Sequence, residues 1–427
     1  MSTASQSRFR GTLAPLGNID FRNLLISNTL WWQAMWMEMI VVGWLVLELT
    51  NSAFDVALVG FCRSSPLLIT GFFSGPISAR FGRIRVVLIS QGISLMGLGI
   101  ITALVYFDAI AYWHLATAAV FFGTSWAFSW TARRALIPDL IGKSQTVEAM
   151  MLESFTQNIS RVLGPFASGS LIATLGSKGC YIAVISVSCI SFFIMLFVHG
   201  PPHVRQPSTA SPWKLMTEGV SYAIGNQAIL GDLLITVTMN FLAFPYMALL
   251  PVFARDILQQ GPFELGLLGA SNGLGAFIGL FIVNRVRQRF SRGWIFAVGS
   301  AFQAANLVFF SYVSTLPLSM VFFGTSIPVA FPLSLGLLLL AGTGQAAFGV
   351  MQSAIVLLAA RDDMRDRAMG TLVLAIGAGP FGQLQIGKLA ESFGAPLALG
   401  CQTSAAVVFI VLITAALPRF RAKLESP

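Results

Sequence analysis

Apolar runs of about twenty residues, each closed by a short polar or basic patch, recur along the whole chain. In the longest, 68 residues from Gly293 to Ala360 pass without one charged side chain. A water-soluble domain needs charge at its surface far more often. A helix that crosses lipid needs roughly 20 apolar residues, and in hydrocarbon only a helix or a closed barrel can satisfy its own backbone. The runs predict spans near 24–48, 55–79, 86–107, 112–132, 148–175, 179–199, 229–254, 264–284, 293–314, 330–360, 368–390 and 396–417. The expected class is an all-α polytopic membrane protein with twelve transmembrane helices in two six-helix bundles. Arginines flank both ends of the uncharged stretch, so it crosses an even number of times and bends outside near Ser314–Pro317.

Charge fixes the expected orientation. With the termini and the even-numbered loops taken as cytoplasmic, only Arg63, Arg161, Lys178, Arg255 and Lys388 of the 26 Lys and Arg lie elsewhere. Both termini of this multi-pass chain are expected in the cytoplasm. The net charge of +9 follows from this distribution, so the partner implied is the lipid bilayer and not nucleic acid. Hydrophobic residues make up 56%, charged residues 10%, and mean hydropathy is +0.77. The first twenty or so residues are polar and lack a short apolar core with a cleavage site, so the first span reads as an uncleaved anchor.

Several chemistries find no support. Cys62, Cys180, Cys189 and Cys401 are scattered without CxxC spacing, so no disulfide or metal is expected. Gly342-Thr-Gly344 and Gly273-Leu-Gly275 lack the Lys-Ser/Thr and the preceding strand of a phosphate loop, and no cofactor is implied. His114, His199 and His203 lie at span ends and no Ser or Cys has a paired base, so an enzyme is not expected.

The longest polar interruption, 200–227, carries Pro201, Pro202, Pro207 and Pro212. The predicted division is an N-terminal segment 1–22, a bundle 23–200, a linker 201–227, a bundle 228–417 and a tail 418–427. Glu148–Phe166 and Arg367–Phe381 echo each other, each opening near an Ala-Met pair and reaching Gly-Pro-Phe. Repeated halves of this kind place a substrate site between them near the midplane.

Charges inside the spans are costly, at least ~2.5–3.5 kcal/mol each on insertion scales, and so are functional candidates. Glu38 lies 16 residues beyond Arg22, about 24 Å along the first span, and Arg63 lies 17 beyond Arg80, about 25 Å along the second. Matching depth makes them a candidate ion pair, either static or coupled to a proton. Arg161 competes for the same glutamate, and Asp232 opens the seventh span. Glu153, Gln157, Asn158 and Arg161 hold one face of the fifth span. The candidate cavity set is Gln33, Trp36, Gln157, Asn158, Asn240, Gln345 and Gln352. Asn28, Ser129, Asn272 and Gln383 are further polar positions, each equally able to make an interhelical hydrogen bond.

Twelve spans, a central linker and the run Gly75-Pro-Ile-Ser-Ala-Arg80-Phe-Gly82-Arg83-Ile-Arg85 after the second span resemble the major facilitator superfamily. Trp44-Leu-Val-Leu-Glu-Leu-Thr50, Arg63-Ser-Ser-Pro66, Arg134-Ala-Leu-Ile-Pro138, Gly164-Pro165 and Leu250-Pro-Val-Phe-Ala-Arg255 resemble its bacterial enterobactin-exporter-like and drug-efflux subgroup. The resemblance implies a gating loop at Gly75, Ala79, Arg80, Gly82 and Arg83 and a helix-5 motif at Gly164, Pro165 and Gly169. It implies a monomeric secondary transporter that exports a siderophore, drug or metabolite by alternating access, coupled to a proton or another ion. Ala79 stands where the family usually has Asp, which implies a weaker inner gate or a substitute latch. The fourth predicted span holds no Arg before Arg133 and Arg134 at its cytoplasmic end, and Ser168 stands where a second Gly is common. A proton-coupled importer is the alternative within transport, and a non-transporting membrane sensor the alternative outside it.

Overall fold

The computed structural model describes residues 13–200, 212–316, 319–322, 325–361 and 364–422. A 3-10 turn at Ala14–Gly17 leads into α1 (Ile19–Thr50), α2 (Ala53–Ser64), α3 (Pro66–Phe81), α4 (Arg83–Tyr106), α5 (Tyr112–Ile141) and α6 (Thr146–Leu196). Then follow α7 (Pro212–Gly225), α8 (Gln227–Thr238), α9 (Tyr246–Val252), α10 (Pro262–Val286) and α11 (Arg292–Val313). A short antiparallel hairpin, β1 (Ser319–Phe322) with β2 (Thr325–Pro328), pairs Ser319 with Pro328 and Phe322 with Thr325. The chain ends with α12 (Ala330–Ala359), α13 (Arg365–Ile376), α14 (Gly379–Phe393), α15 (Ala395–Ala416) and α16 (Pro418–Arg421). The uncharged stretch thus holds two helices, α11 and α12, with the hairpin as its bend.

Ten helical stretches of the described residues are long and apolar enough to cross a membrane. One of them, α6, covers both the fifth and sixth predicted spans. Gly176 interrupts it with φ 69° and ψ 179°, a backbone conformation that a side chain would strain, and this turns the chain between them. The 30-residue α5 is not among the ten, since Trp126, Trp130 and its Ser and Thr residues lower its hydropathy. Part of the interval predicted as a flexible linker is the helix α7.

Packing divides the chain differently from sequence order. One compact unit is Met1–Val42 with Ser65–Thr209, and the other is Gly43–Ser64 with Ala210–Pro427. In the first unit, Phe21, Leu24, Val87, Leu136, Ile137 and Met195 form a buried apolar core. In the second, the end of α1 and all of α2 pack on α9 and α14. A Cβ on Gly43 would stand 3.0 Å from Pro251, and one on Gly387 would stand 2.5 Å from the Ala57 methyl. Ser64 Oγ donates to Gln383 Oε1 at 3.0 Å, and Arg255 Nη1 donates to the Leu47 carbonyl at 2.8 Å. Glycine and alanine let these helices approach closely, as in membrane interiors generally.

Candidate functional site

The chain's most buried arginine is not where the basic-loop pattern puts it. Helix α5 does not stop near residue 132 but continues for about two more turns to Ile141, and this draws Arg133 into the first unit with 2% of its surface exposed. Arg133 lies about 12 Å in from that end of α5, and Glu153 about 10 Å in from the start of α6. Arg133 is therefore not a loop charge, and Arg134 beside it belongs to the same helix but is exposed.

Around Arg133 the helices supply acceptors. Its Nη2 donates to Gln91 Oε1 at 2.7 Å, Nη1 to Asn28 Oδ1 and to Ser27 Oγ at 3.3 Å, and Nε to Ser129 Oγ at 3.4 Å. Gln91 Nε2 in turn donates to Ser191 Oγ at 2.8 Å, and the Ser191 hydroxyl donates to the Ser27 carbonyl at 2.8 Å. The buried Glu153 carboxyl on α6 lies beside the Asn28 side chain, and the charges of Arg134 and Arg133 act on it. Asn28 thereby joins an acid on α6 to a cation on α5, a short polar chain inside the hydrophobic spans. Helices α1, α4, α5 and α6 each contribute to it.

Arginines in this unit also stack on tryptophans. Arg133 lies 5.1 Å from the Trp31 ring, Arg134 5.1 Å from Trp130 and Arg161 5.5 Å from Trp36. Trp126 and Trp130 stack 5.5 Å apart. The indole N–H groups of Trp36, Trp126 and Trp130 are buried with no hydrogen-bond acceptor among the described residues. The helix-5 motif explains how Arg161 reaches Trp36. A Cβ on Gly164 would collide with Trp36 Cβ, Pro165 and Gly169 are buried, and Ser168 Oγ donates to the Met37 carbonyl at 2.9 Å.

The other expected residues fall as follows. Glu38 is buried in the first unit and Arg63 belongs to the second. Gln33 and Gln157 are half-buried, and Asn158 spends its Nδ2 on the Ser154 carbonyl of its own helix. In the second unit Asp232 is fully buried and both its carboxyl oxygens lack a hydrogen-bond partner among the described residues. One turn along, Gln352 Nε2 donates to Thr236 Oγ1 at 3.0 Å, and Asn240 Nδ2 donates to the Thr236 carbonyl at 2.9 Å. Gln352 and Asn240 thus secure helices, while Gln345 is half-buried on α12. Two π-helical turns, Met239–Ala243 and Phe253–Ile257, flank α9, a feature common at functional sites.

In the gating loop, Arg80 stacks on Phe81 at 5.4 Å and Gly82 turns the chain at φ 88°. Arg83 donates to the Ala135 carbonyl at 2.9 Å and pairs with Asp139. The side-chain surroundings of Gly75 and Ala79 lie outside the described residues. Sequence reading missed Arg133, Gln91, Ser27 and Ser191. The available signal was the spacing of Ser125, Ser129 and Arg133, one polar face at i, i+4 and i+8, all three buried.

The family profile described as a transmembrane secretion effector matches residues 10–427. The staphyloferrin A transporter of Staphylococcus aureus is 26% identical over 268 residues, 61% of this chain and 66% of that protein. The multidrug efflux pump Tap of Mycolicibacterium fortuitum is 23% identical over 90% of this chain and 92% of its own. The enterobactin exporter EntS of Shigella boydii is 26% identical, and the match spans 55% of its length. Among solved structures, the nucleoside transporter NupG aligns with TM-score 0.69 and 12% identity over 93% of this chain and 98% of its own. A bacterial homolog of the human lysosomal transporter Spinster aligns with TM-score 0.69 and 14% identity over 95% and 99%. These two show a shared fold.

Proposed function

The chain belongs to the transmembrane secretion effector family of major facilitator transporters, and from that premise we propose that it exports a small amphipathic molecule across the bacterial inner membrane in exchange for protons. The observation that carries the reading is the buried chain Glu153–Asn28–Arg133. An ionisable pair inside lipid spans is expensive to keep. It becomes useful when the acid binds and releases a proton while Asn28 passes the change to the arginine, which ties two other helices, α1 and α4, to α5. Asp232 is a second candidate carrier. A buried charge with no partner costs several kcal/mol, and taking up a proton removes that cost. Glu38 is a third.

The substrate class we infer is an anionic, oxygen-rich amphiphile such as a siderophore. Arg134 and Arg161 each face an indole ring, and among the described residues the indole N–H donors of Trp36, Trp126 and Trp130 stand without acceptors. A cationic dye meets the wrong charge there, whereas a carboxylate or catecholate finds both donors and aromatic faces. The protein works as a monomer in this reading.

Proteoliposomes with an imposed pH gradient test it, with carboxylate and catecholate siderophores and cationic dyes as the panel. Movement of a siderophore opposite to proton flow is expected. In Glu153→Gln, which keeps the shape and polarity of the side chain and loses the proton site, solute exchange without a gradient should persist. Gradient-driven transport should fall at least about tenfold, or about 1.4 kcal/mol. Movement along with protons would replace the exporter by a symporter, and transport blind to the gradient would end the coupling assignment.

A further inference from the structure

Two apolar grooves run along opposite sides of α11. The larger, about 430 Å³, lies between α10, α11 and α12, with Val286, Phe290, Phe302 and Leu340 on its walls and Gly299 and Gly344 in its floor. The floor is deep because α11 and α12 touch there through glycine: a Cβ on Gly299 would collide with the Ala347 methyl, and one on Gly344 with the Gly299 carbonyl. The smaller, about 270 Å³, lies between α11 and α15, with Ala301, Ile410 and Val411 on its walls. Trp294 and Val298 line both, so they form a ridge between the two channels. From Trp294 to Phe302 the larger groove follows α11 for about 12 Å, most of the ~15 Å depth of one leaflet of hydrocarbon.

Both grooves end at the same basic cluster. Arg285, Arg287, Arg289 and Arg292 crowd the turn that enters α11, and Arg421 lines the end of the smaller groove. The last helix is tied to this turn. Ser291 Oγ donates to the Arg421 carbonyl at 2.6 Å, and Gly293 leaves the room that the Phe420 carbonyl fills. All five arginines are exposed, and no Asp or Glu occurs between Glu264 and Asp362 to neutralise the turn. Trp294 stands at the boundary between cluster and grooves, where amphipathic rings settle at membrane interfaces.

We propose that this face holds one anionic diacyl phospholipid, its phosphate on Arg292 and Arg421 and its two acyl chains straddling the Trp294–Val298 ridge. Paired channels of nearly leaflet depth fit two chains on one backbone, and exposed arginines with no ion pair among the described residues, at their common end, fit an anionic headgroup. A loosely held annular lipid needs neither feature. The site is independent of the transport cycle proposed above.

Native mass spectrometry of the detergent-purified protein, offered phosphatidylglycerol and phosphatidylcholine with identical chains, tests the proposal. The unaltered protein should retain phosphatidylglycerol with a preference of roughly thirtyfold, the effect of two arginines at about 1 kcal/mol each. Arg292→Gln with Arg421→Gln should bring the preference close to one, while Lys178→Gln with Lys388→Gln leaves it unchanged. Val298→Trp, at an exposed ridge position, should reduce retention of both lipids by blocking the channels. Equal retention of the two lipids, a preference that survives loss of both arginines, or stabilisation by inorganic phosphate as large as that by lipid would each overturn it.

Discussion

Arg133 spends its donors on Ser129 of its own helix and on Ser27, Asn28 and Gln91 of two others. A planar fork with five N–H groups can serve acceptors in several directions at once, whereas the three donors of an ammonium on a flexible stem cannot. Arg133→Lys keeps the charge and should still destabilise the protein by about 1–3 kcal/mol, because the freed acceptors stay buried. Thermal unfolding in detergent checks this, and an unshifted midpoint would mean that the acceptors find other partners. At the same scale, the missing acid at Ala79 has a neighbour worth weighing. Arg83 pairs with Asp139 and with the Ala135 carbonyl, which fastens the loop after α3 to the end of α5. These two residues are part-exposed, so the pair contributes at most about 1 kcal/mol.

Helix α6 meets α1 at Gly164, where the Trp36 side chain occupies the space a methyl group would need. The contact sets the height at which Arg161 lies over Trp36. Gly164→Ala should push the helices apart at a cost of about 1–3 kcal/mol, seen as a lower unfolding midpoint. It should also change the tryptophan fluorescence as Arg161 leaves the ring. An unchanged midpoint would mean that α6 slides without loss and that the motif has another role. On the other side of the molecule's sequence, α8 gives way to a π turn, to α9 and to a second π turn. Each π turn releases a carbonyl from the regular ladder. Kinks concentrate at such turns, and Asp232 lies in α8, just before the first of them.

At the scale of the whole molecule, both termini should lie in the cytoplasm, since the segments that carry Arg80–Arg85, Arg285–Arg292 and Arg419–Arg421 in the sequence are those the positive-inside rule assigns to it. Green fluorescent protein fused at either end should fluoresce, and a periplasmic alkaline phosphatase fused there should stay inactive. An active phosphatase at one end would make the number of crossings odd. Packing adds something the loop charges do not report. The distal part of α1 and all of α2 belong with the second unit, held by Gly43 against Pro251, Ala57 against Gly387 and Ser64 against Gln383. A boundary drawn at the linker alone cuts across this packing.

Class, helical fold, family and the two-helix content of the uncharged stretch were legible in the sequence. Each depends on the free energy of placing side chains in lipid or water, which is a property of composition along one dimension. Gly164 was singled out by the family resemblance, and the structure adds what it touches, the Trp36 side chain of α1, since only a small residue lets the two helices meet there. The buried cluster was not. Arg133 stands next to Arg134 and near a run of polar residues, and linear hydropathy treats both alike. Which of the two turns inward depends on where α5 ends and on whether Gln91, Asn28 and Ser27, from other helices, arrive with acceptors. The same holds for Asp232, whose isolation is a fact about its neighbours. Only tertiary packing decides partners, because a hydrogen bond needs its donor and acceptor within about 3 Å and residues 42 or 105 apart in sequence meet there only once the helices are assembled.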